Sequence, residues 1–577
     1  MVTEATANNN HEGKRHPAYF HNPSNEPLRA ITTGQLLDRA AEKWPNKHAI
    51  ISAHENKTLT FLQAKQQAEQ LGASLLKLGL RPGDRLALIG VNTIHWYVTM
   101  MATAKIGIIL VMVNPAYKSN EFKYVLTQVK AKGIITDQHF KTQDYPKLLM
   151  EAVPGMLRAP HGQPLNCPEL PELSFIIVAT EEKLPGCYRL KDVMNITKCT
   201  DELYTIEEQI QPDDPAFIQF SSGTTGLPKG AILSHFGTIN NCHYLGKRFG
   251  YDKKPSSVLC LQVPLFHIFG SVLGIMSGLD FGITLYLPGP IFKKDMTEII
   301  QTSKCNILYG TSTMYIDICN EIKAQLPGNQ KLAEACANID IIVCGGSMCP
   351  PQLAKDISKI FPSCKIQFIY GMTEASPICF ANKLDDSFEQ RTTTVGYVAE
   401  NLEVKIVDRE GKTVDFGTPG EAWFRSYANF IGYWGNEKKT KEAKTADGWL
   451  RSGDLMILRE DGYGTIVGRI KDIIIRGGEN IFPAEIEEFF MQHPDIIDAQ
   501  VFGVSDDRLG EEVAVAIKLH DSSTMTESSL KEHCKGKISH FKIPKYVRFV
   551  KEYPSTLSGK VKKYVLREML EEELKKE

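Results

Sequence analysis

Residues 60–113 read TFLQAKQQAEQLGASLLKLGLRPGDRLALIGVNTIHWYVTMMATAKIGIILVMV, and the alternation of polarity along them decides the fold class. Thr60 followed by Gln63 has the pattern of a capping box opening an amphipathic helix, with Ala64, Ala68, Leu71 and Leu75 on one face. Gly79 is placed to stop that helix. Arg85–Ile89 (RLALI) then reads as a strand, an apolar helix follows around Trp96, and a second strand is expected over 108–113 (IILVMV). Strands that are apolar at nearly every position have both faces buried. Alternated with helices, they imply parallel sheets covered on both sides.

The same rhythm returns further along. A strand expected over 339–343 (IDIIV) leads through Gly345-Gly346 and Pro350-Pro351 into a helix over 353–360, and another strand is expected over 365–370 (KIQFIY). After residue 400 the pattern changes to short strands with glycine turns at Gly411, Gly417 and Gly420, and beyond Arg469 a shorter α+β segment closes the chain. At 577 residues the chain exceeds what a single core supports. The expected architecture is α/β: a large N-terminal domain of layered sheets and helices over 31–470, and a smaller mobile α+β C-terminal domain over 471–577. A flexible segment over 1–30 precedes them.

Composition excludes several classes. Hydrophobic content of 42% with 23% charged residues is that of a globular chain. A net charge of −2 provides no field to gather nucleic acid or an anionic membrane, so neither is expected as a partner. The 13 cysteines form no C-x-x-C pair and no Cys/His ligand spacing, which points to free thiols in a reducing compartment. The first thirty residues, with Glu4, Asn8-Asn9-Asn10 and Glu12, lack the apolar core of a signal peptide and show no basic amphipathic transit helix. The ending Leu574-Lys575-Lys576-Glu577 is no peroxisomal address. The apolar stretch 263–287 carries Pro264, His267 and Asp280. A central Asp costs ~2.5–3.5 kcal/mol on insertion, so a buried helix followed by a buried strand is expected there rather than a membrane span.

The chemistry concentrates in Ser221-Ser222-Gly223-Thr224-Thr225-Gly226-Leu227-Pro228-Lys229-Gly230, behind the apolar Phe217-Ile218-Gln219-Phe220. Three glycines let the backbone fold around an anion, and four hydroxyls with Lys229 supply donors for a polyphosphate. It is not a Walker A loop, because no Lys-Ser/Thr pair follows the second glycine and no helix clearly starts there.

This loop resembles the phosphate signature of the adenylate-forming superfamily, which includes acyl-CoA synthetases, aryl-CoA ligases, insect luciferases and adenylation domains of peptide synthetases. Ser221 stands where the family commonly has Thr. Further motifs follow in the family's order, and the resemblance runs from residue 35 to residue 567. It implies roles residue by residue. In Pro264-Leu265-Phe266-His267, His267 would line the acyl carboxylate site. Gly345-Gly346-Ser347 would pack against adenine. In Tyr370-Gly371-Met372-Thr373-Glu374, Tyr370 would stack on adenine, Thr373 would bond the α-phosphate and Glu374 would hold Mg²⁺. In Arg451-Ser452-Gly453-Asp454, Asp454 would accept both ribose hydroxyls; Leu450 and Ser452 depart from the usual Tyr and Thr. In Gly468-Arg469-Ile470-Lys471-Asp472, Arg469 would contact the nucleotide and Lys471 would be the hinge. Gly478, in Arg476-Gly477-Gly478-Glu479-Asn480-Ile481, would leave room for the pantetheine of coenzyme A. Lys560, closing Pro554-Ser555-Thr556-Leu557-Ser558-Gly559-Lys560, would be the catalytic lysine of adenylation.

The function so implied is an AMP-forming acyl-CoA ligase using ATP, Mg²⁺ and coenzyme A as co-substrate. Residues 536–546 (GKISHFKIPKY) and 113–117 (VNPAY) look closest to medium-chain acyl-CoA synthetases of the mitochondrial type. That suggests the mitochondrion as location, with the cytoplasm as alternative. His235, Phe236, Asn241, His267, Gly310, Thr311 and Thr313 are candidates for the acyl pocket or equally for core. An aryl-CoA ligase or luciferase-like adenylating enzyme shares every motif. A peptide-synthetase adenylation unit lacks a following carrier domain, and a catalytically silent scaffold conflicts with intact Lys560, Glu374 and Asp454. The sequence does not report an oligomeric state.

Overall fold

The structure is a computed structural model that describes residues 16–221, 228–254, 256–290, 296–346, 349–477, 479–556 and 559–576. The strands Arg85–Ile89 and Ile109–Val113 lie side by side and parallel, each as expected from its apolar run. Leu86 and Leu88 face one core, while Ala87 and Ile89 face another, so the strand is buried from both sides. They belong to an eight-stranded sheet ordered Tyr188–Arg189, Phe175–Ala179, Gly133–Asp137, Arg85–Ile89, Ile109–Val113, Pro215–Ser221, Lys229–Ser234 and Gly432–Tyr433. The first six strands are parallel and the last two antiparallel.

A nine-stranded sheet shares the central core with it. Six of its strands run parallel, from His48–Ser52 through Thr284–Leu287, Val258–Leu261, Ile307–Gly310 and Ile341–Gly345 to Lys365–Gly371. The helix Phe61–Lys77 starts at the Thr60 capping box and buries Ala64, Ala68, Leu71 and Leu75. It ends before Gly79, whose φ of +99° closes a helix at no side-chain cost. The 263–287 stretch is a buried helix and strand, as its composition requires. Its first part, Phe269–Met276, is wound as a π-helix and continues as the α-helix Ser277–Phe281 into Thr284–Leu287. Asp280 is not a bare charge, because Arg29 and His243 both bond it. Among the described residues no helix is long and apolar enough to cross a membrane.

A five-stranded antiparallel sheet, Tyr19–Asn22, Leu402–Val407, Gly420–Ser426, Leu450–Leu458 and Gly464–Arg469, closes the large domain. Its first strand corrects the expectation of a flexible 1–30 segment. Tyr19–Asn22 pairs with Leu402–Val407, the Tyr244 hydroxyl donates to the Glu26 carbonyl at 2.8 Å, and Asn240 exchanges bonds of 2.8 and 3.0 Å with the Arg29 backbone. An edge strand takes its order from the backbone of its neighbour, so YFHN needs no apolar run to be fixed. Residues 1–15 lie outside the described ones.

The smaller C-terminal domain is built on Ile474–Arg476, Glu479–Ile481, Ile496–Asp506, Gly510–Leu519 and Tyr546–Phe549. Helices Pro483–Met491 and Glu527–Cys534 cover one face through Ile486, Phe490 and Leu530. Lys563–Leu574 covers the other through Leu566 and Leu570. It has a core of its own, and its helix Pro483–Met491 lies against the large-domain strand Gly464–Arg469.

Candidate active site

The site gathers residues from strands of all three large-domain sheets and from the Lys560 loop of the small domain. Pro215–Ser221 and Lys229–Ser234 form an antiparallel hairpin with Ser221 opposite Lys229. The tip, carrying Ser222, Gly223, Thr224, Thr225 and Gly226, lies outside the described residues. Lys229 holds its ammonium 5.4 Å from the Tyr433 ring centroid.

Strand Lys365–Gly371 delivers the next group. A Cβ on Gly371 would lie 1.9 Å from the Pro377 carbonyl oxygen, so only glycine fits this turn. The turn leads into a short 3₁₀ helix, Thr373–Ala375, which buries Glu374 to 6% exposure. Glu374 Oε1 accepts from the Tyr433 hydroxyl at 2.7 Å and the Ser221 hydroxyl at 3.2 Å. Its other oxygen takes no hydrogen bond from a described residue. A desolvated carboxylate with one oxygen fixed and one spare suits a cation that keeps most of its waters and leans on phosphate, as Mg²⁺ does. Among the described residues no group of three or more His, Cys, Asp or Glu could hold a metal by itself.

Tyr370 sits three residues upstream of Thr373. Its hydroxyl donates to Asp454 Oδ2 at 2.7 Å, and its ring packs on Phe380 and Phe424, each 6.2 Å away between centroids. Burial, reinforced by the Asp454 charge, holds this phenol protonated. Asp454 is 7% exposed, and its Oδ1 lies 3.1 Å from Arg469 Nε. The two are cross-strand partners in the antiparallel pairing, which explains their meeting. Lys471 follows in the 3₁₀ turn Ile470–Asp472, between the last large-domain strand and the first small-domain strand; burial lowers its pKa.

Lys560 reaches this group from the small domain. Its loop is a tight turn: the Lys560 N–H donates to Thr556 Oγ1 at 3.0 Å, and the Thr556 N–H donates to the Lys560 carbonyl at 2.8 Å. Thr313 of the large domain donates to the Gly559 carbonyl at 3.4 Å. A Cβ placed on Gly346, whose φ is +89°, would lie 3.7 Å from Lys560 Cε. Burial lowers the pKa of Lys560 and the nearby Arg469 charge adds to this, while Asp454 and Glu374 oppose it. Burial and the Lys560 charge push His267 down to about 3, so its imidazole is neutral. Its Nδ1 accepts from the Phe269 N–H at 3.3 Å, which leaves Nε2 as the protonated nitrogen.

The structure thus brings Ser221, Lys229, Gly346, Tyr370, Gly371, Thr373, Glu374, Asp454, Arg469, Lys471, His267 and Lys560 to one region; Gly345 ends the strand Ile341–Gly345 beside them. Ser347 and Gly478 lie outside the described residues. His235 and Asn241, open between acyl pocket and core in the sequence, are both buried and bonded within the protein. His235 is a core histidine, its Nδ1 accepting from the Thr33 hydroxyl at 2.9 Å and the Thr33 N–H at 3.2 Å, and burial pushes its pKa to about 4. Asn241 commits both ends of its amide to the Ile378 backbone, at 2.9 and 3.0 Å. Thr311 caps the helix Ser312–Gln325 and, like Thr313, faces the Gly559 loop. Gly310 packs under the Tyr315 ring and Phe236 against Tyr427, 6.2 Å between centroids. Tyr433, the partner of Glu374, was not anticipated; nothing near Gly432-Tyr433 marks it as functional.

This fold and site belong to a known class: the chain is a member of the AMP-binding enzyme family, matched over residues 37–434, with the AMP-binding enzyme C-terminal domain matched over 485–560. Among curated relatives, the mitochondrial medium-chain acyl-CoA ligase ACSF2 of Homo sapiens is 41% identical over 564 residues, covering 96% of this chain and 90% of its own. The putative acyl-CoA synthetase YngI of Bacillus subtilis is 36% identical over 93% of this chain and 96% of its own. Among solved structures, the ATP-bound RpMatB–BxBclM chimera B3 superposes with a TM-score of 0.79 at 25% identity, over 93% of this chain and 98% of its own. The anthranilate CoA ligase AuaEII in complex with anthranoyl-AMP shares the fold, with a TM-score of 0.78 at 24% identity over 94% of this chain and 98% of its own.

Proposed function

We propose that this chain is an AMP-forming acyl-CoA ligase that activates a medium-chain fatty acid with ATP and transfers the acyl group to coenzyme A. The observation that carries the reading is Lys560, delivered by the small domain beside Gly346 and within the electrostatic reach of Glu374, Asp454, Arg469 and His267. Identity of 41% to relatives named medium-chain acyl-CoA ligase supports the substrate class, and an ATP-bound structural neighbour supports the nucleotide. Relatives named as mitochondrial enzymes support the same compartment here.

In the first half-reaction the fatty acid carboxylate attacks the α-phosphorus of ATP. The bond from phosphorus to the bridging oxygen breaks, pyrophosphate leaves and an acyl-adenylate forms. Two anions must meet, so neutralisation dominates the barrier. Mg²⁺ held by Glu374 would supply charge neutralisation on the triphosphate. Lys560 supplies a positive charge in a desolvated setting, where it is worth more than in water. The Ser221–Gly230 loop and Lys229 cradle the phosphates, and Thr373 bonds the α-phosphate. Gly345, Gly346, Ser347, Tyr370 and Gly371 shape the adenine site. Asp454 and Arg469 receive the ribose once the Tyr370 and Arg469 bonds to Asp454 are exchanged. His267, neutral with its proton on Nε2, donates to the acyl carboxylate.

In the second half-reaction the coenzyme A sulfur attacks the acyl carbonyl, AMP leaves and the thiol proton is released. Lys560 has no task in that step. The small domain, residues 471–577, turns against the large domain, residues 31–470, about Lys471, withdrawing Lys560 and bringing Gly478 to the pantetheine path. An assay of pyrophosphate release over fatty acids of increasing chain length, with and without coenzyme A, tests this. A maximum at medium chains with thioester as product is expected, and equal or better turnover of benzoates would replace the fatty acid by an aryl acid.

A further inference from the structure

The stretch 263–267 carries His267 away from the strand Val258–Leu261 of the nine-stranded sheet. Pro264 has no N–H, and the turn's own bond is from the His267 N–H to the Pro264 carbonyl at 3.1 Å. The neighbouring backbone groups are met by two side chains, one just after a strand of the eight-stranded sheet and one within another. Asn92 Nδ2 donates to the Val263 carbonyl at 3.0 Å, and Asn92 Oδ1 accepts from the Leu265 N–H at 2.8 Å. Gln219 Nε2 donates to the Phe266 carbonyl. Asn92 is 1% exposed and Gln219 2%.

We propose that Asn92 and Gln219 are positioning residues for adenylation, fixing the His267 turn against the phosphate-binding strand. The proposal rests on the reading of His267 as the acyl-carboxylate group. Each residue is anchored where it must be for that task. Asn92 lies between strand Arg85–Ile89 and helix Ile94–Lys105. Its N–H is bound by the Pro290 carbonyl at 2.8 Å. The preceding Val91 N–H is bound by Asp137 Oδ2 at 2.8 Å, and Asp137 is in turn 3.0 Å from His95. Gln219 lies two residues before Ser221, whose hydroxyl bonds Glu374. One buried amide therefore ties the carboxylate-side turn to the strand that opens the phosphate loop. The second, Asn92, holds the same turn through the Val263 carbonyl and the Leu265 N–H. Of side chains this size, only an amide both donates and accepts as Asn92 does; Asp keeps the acceptor alone and Leu keeps neither. The distance between attacking carboxylate and α-phosphorus is the quantity such a clamp sets, and rate is steeply sensitive to it.

Asn92→Ala and the isosteric Asn92→Asp test this, alone and with His267→Ala, in steady-state pyrophosphate release, with melting temperatures measured in parallel. Each single variant is expected to lower kcat/KM for the acid by roughly 10- to 100-fold, while KM for ATP stays within about twofold. Asn92→Asp, which keeps the acceptor for Leu265, serves if the alanine variant does not fold. In the His267→Ala background, Asn92→Ala should cause little further loss for the acid, because it acts through that turn. Equal damage to acid and ATP kinetics, no damage in a folded variant, or full additivity in the double variant overturns the proposal. His267→Ala alone without effect on the acid removes His267 from the carboxylate site, and the positioning role with it.

Discussion

A neutral His267 makes a sharp prediction about pH. Burial and the Lys560 charge bring its pKa from 6.5 to about 3. At pH 7 the imidazolium is then disfavoured by about 5 kcal/mol, taking about 1.36 kcal/mol per pH unit. His267→Gln retains a neutral donor of similar reach, whereas His267→Ala removes it. Losing a hydrogen bond to a charged carboxylate costs about 1.5–3 kcal/mol. The alanine variant should therefore lose roughly 10- to 150-fold in kcat/KM for the acid. The glutamine variant should lose much less. The assay is kcat/KM for the acid between pH 5.5 and 8, which reports ionisations of the free enzyme. The wild-type and His267→Gln profiles should share one shape, because no proton enters or leaves this ring in that range. An acidic limb near pH 6.5 in the wild type that vanishes in His267→Gln would refute the reasoning.

Three further outcomes are expected. Burial lifts the Asp498 carboxyl from 3.8 to about 6, so the native state binds more protons than the unfolded one between those values. Its contribution to stability is full below pH 4 and is lost as pH rises through about 6; Asp498→Asn should stabilise the small domain at pH 8 by up to ~3 kcal/mol and hardly at pH 4, read by hydrogen exchange, and equal gains at both would contradict it. Lys560 has a lowered pKa, chiefly from burial, so kcat/KM for ATP should fall on an alkaline limb below the ordinary 10.5; Lys560→Arg, which stays charged, should abolish that limb, and an unchanged limb assigns it elsewhere. Lys471→Pro should spare adenylation and impair thioester formation by stiffening the Ile470–Asp472 turn, and unaltered rates of both steps would exclude Lys471 as pivot.

Much of this molecule was legible in its sequence where the controlling physics is local. Arg85–Ile89 was read to the residue because a strand buried on both faces must be continuously apolar. Phe61–Lys77 was read because its cap lies within the helix's own first turn. Tyr19–Asn22 was missed because its order comes from Leu402–Val407, far along the chain. The π winding of Phe269–Met276 leaves no mark that composition reveals. At the site, Glu374, Asp454 and Lys560 were legible as motifs, and the fold brings them together. His235 and Asn241 stayed open between pocket and core because a polar residue on a buried helix reads the same whether it meets ligand or backbone. Tyr433, Asn92 and Gln219 act on groups 59, 171 and 47 residues away, so only the folded chain discloses them.

The account turns on Lys560 serving one half-reaction and not the other. Single-turnover measurement of Lys560→Ala resolves this, with pyrophosphate release from acid plus ATP followed beside thioester formation from supplied acyl-adenylate plus coenzyme A. The account predicts that adenylation is lost and thioester formation stays close to the wild-type rate. Equal loss of both steps, or undiminished pyrophosphate release, would contradict it.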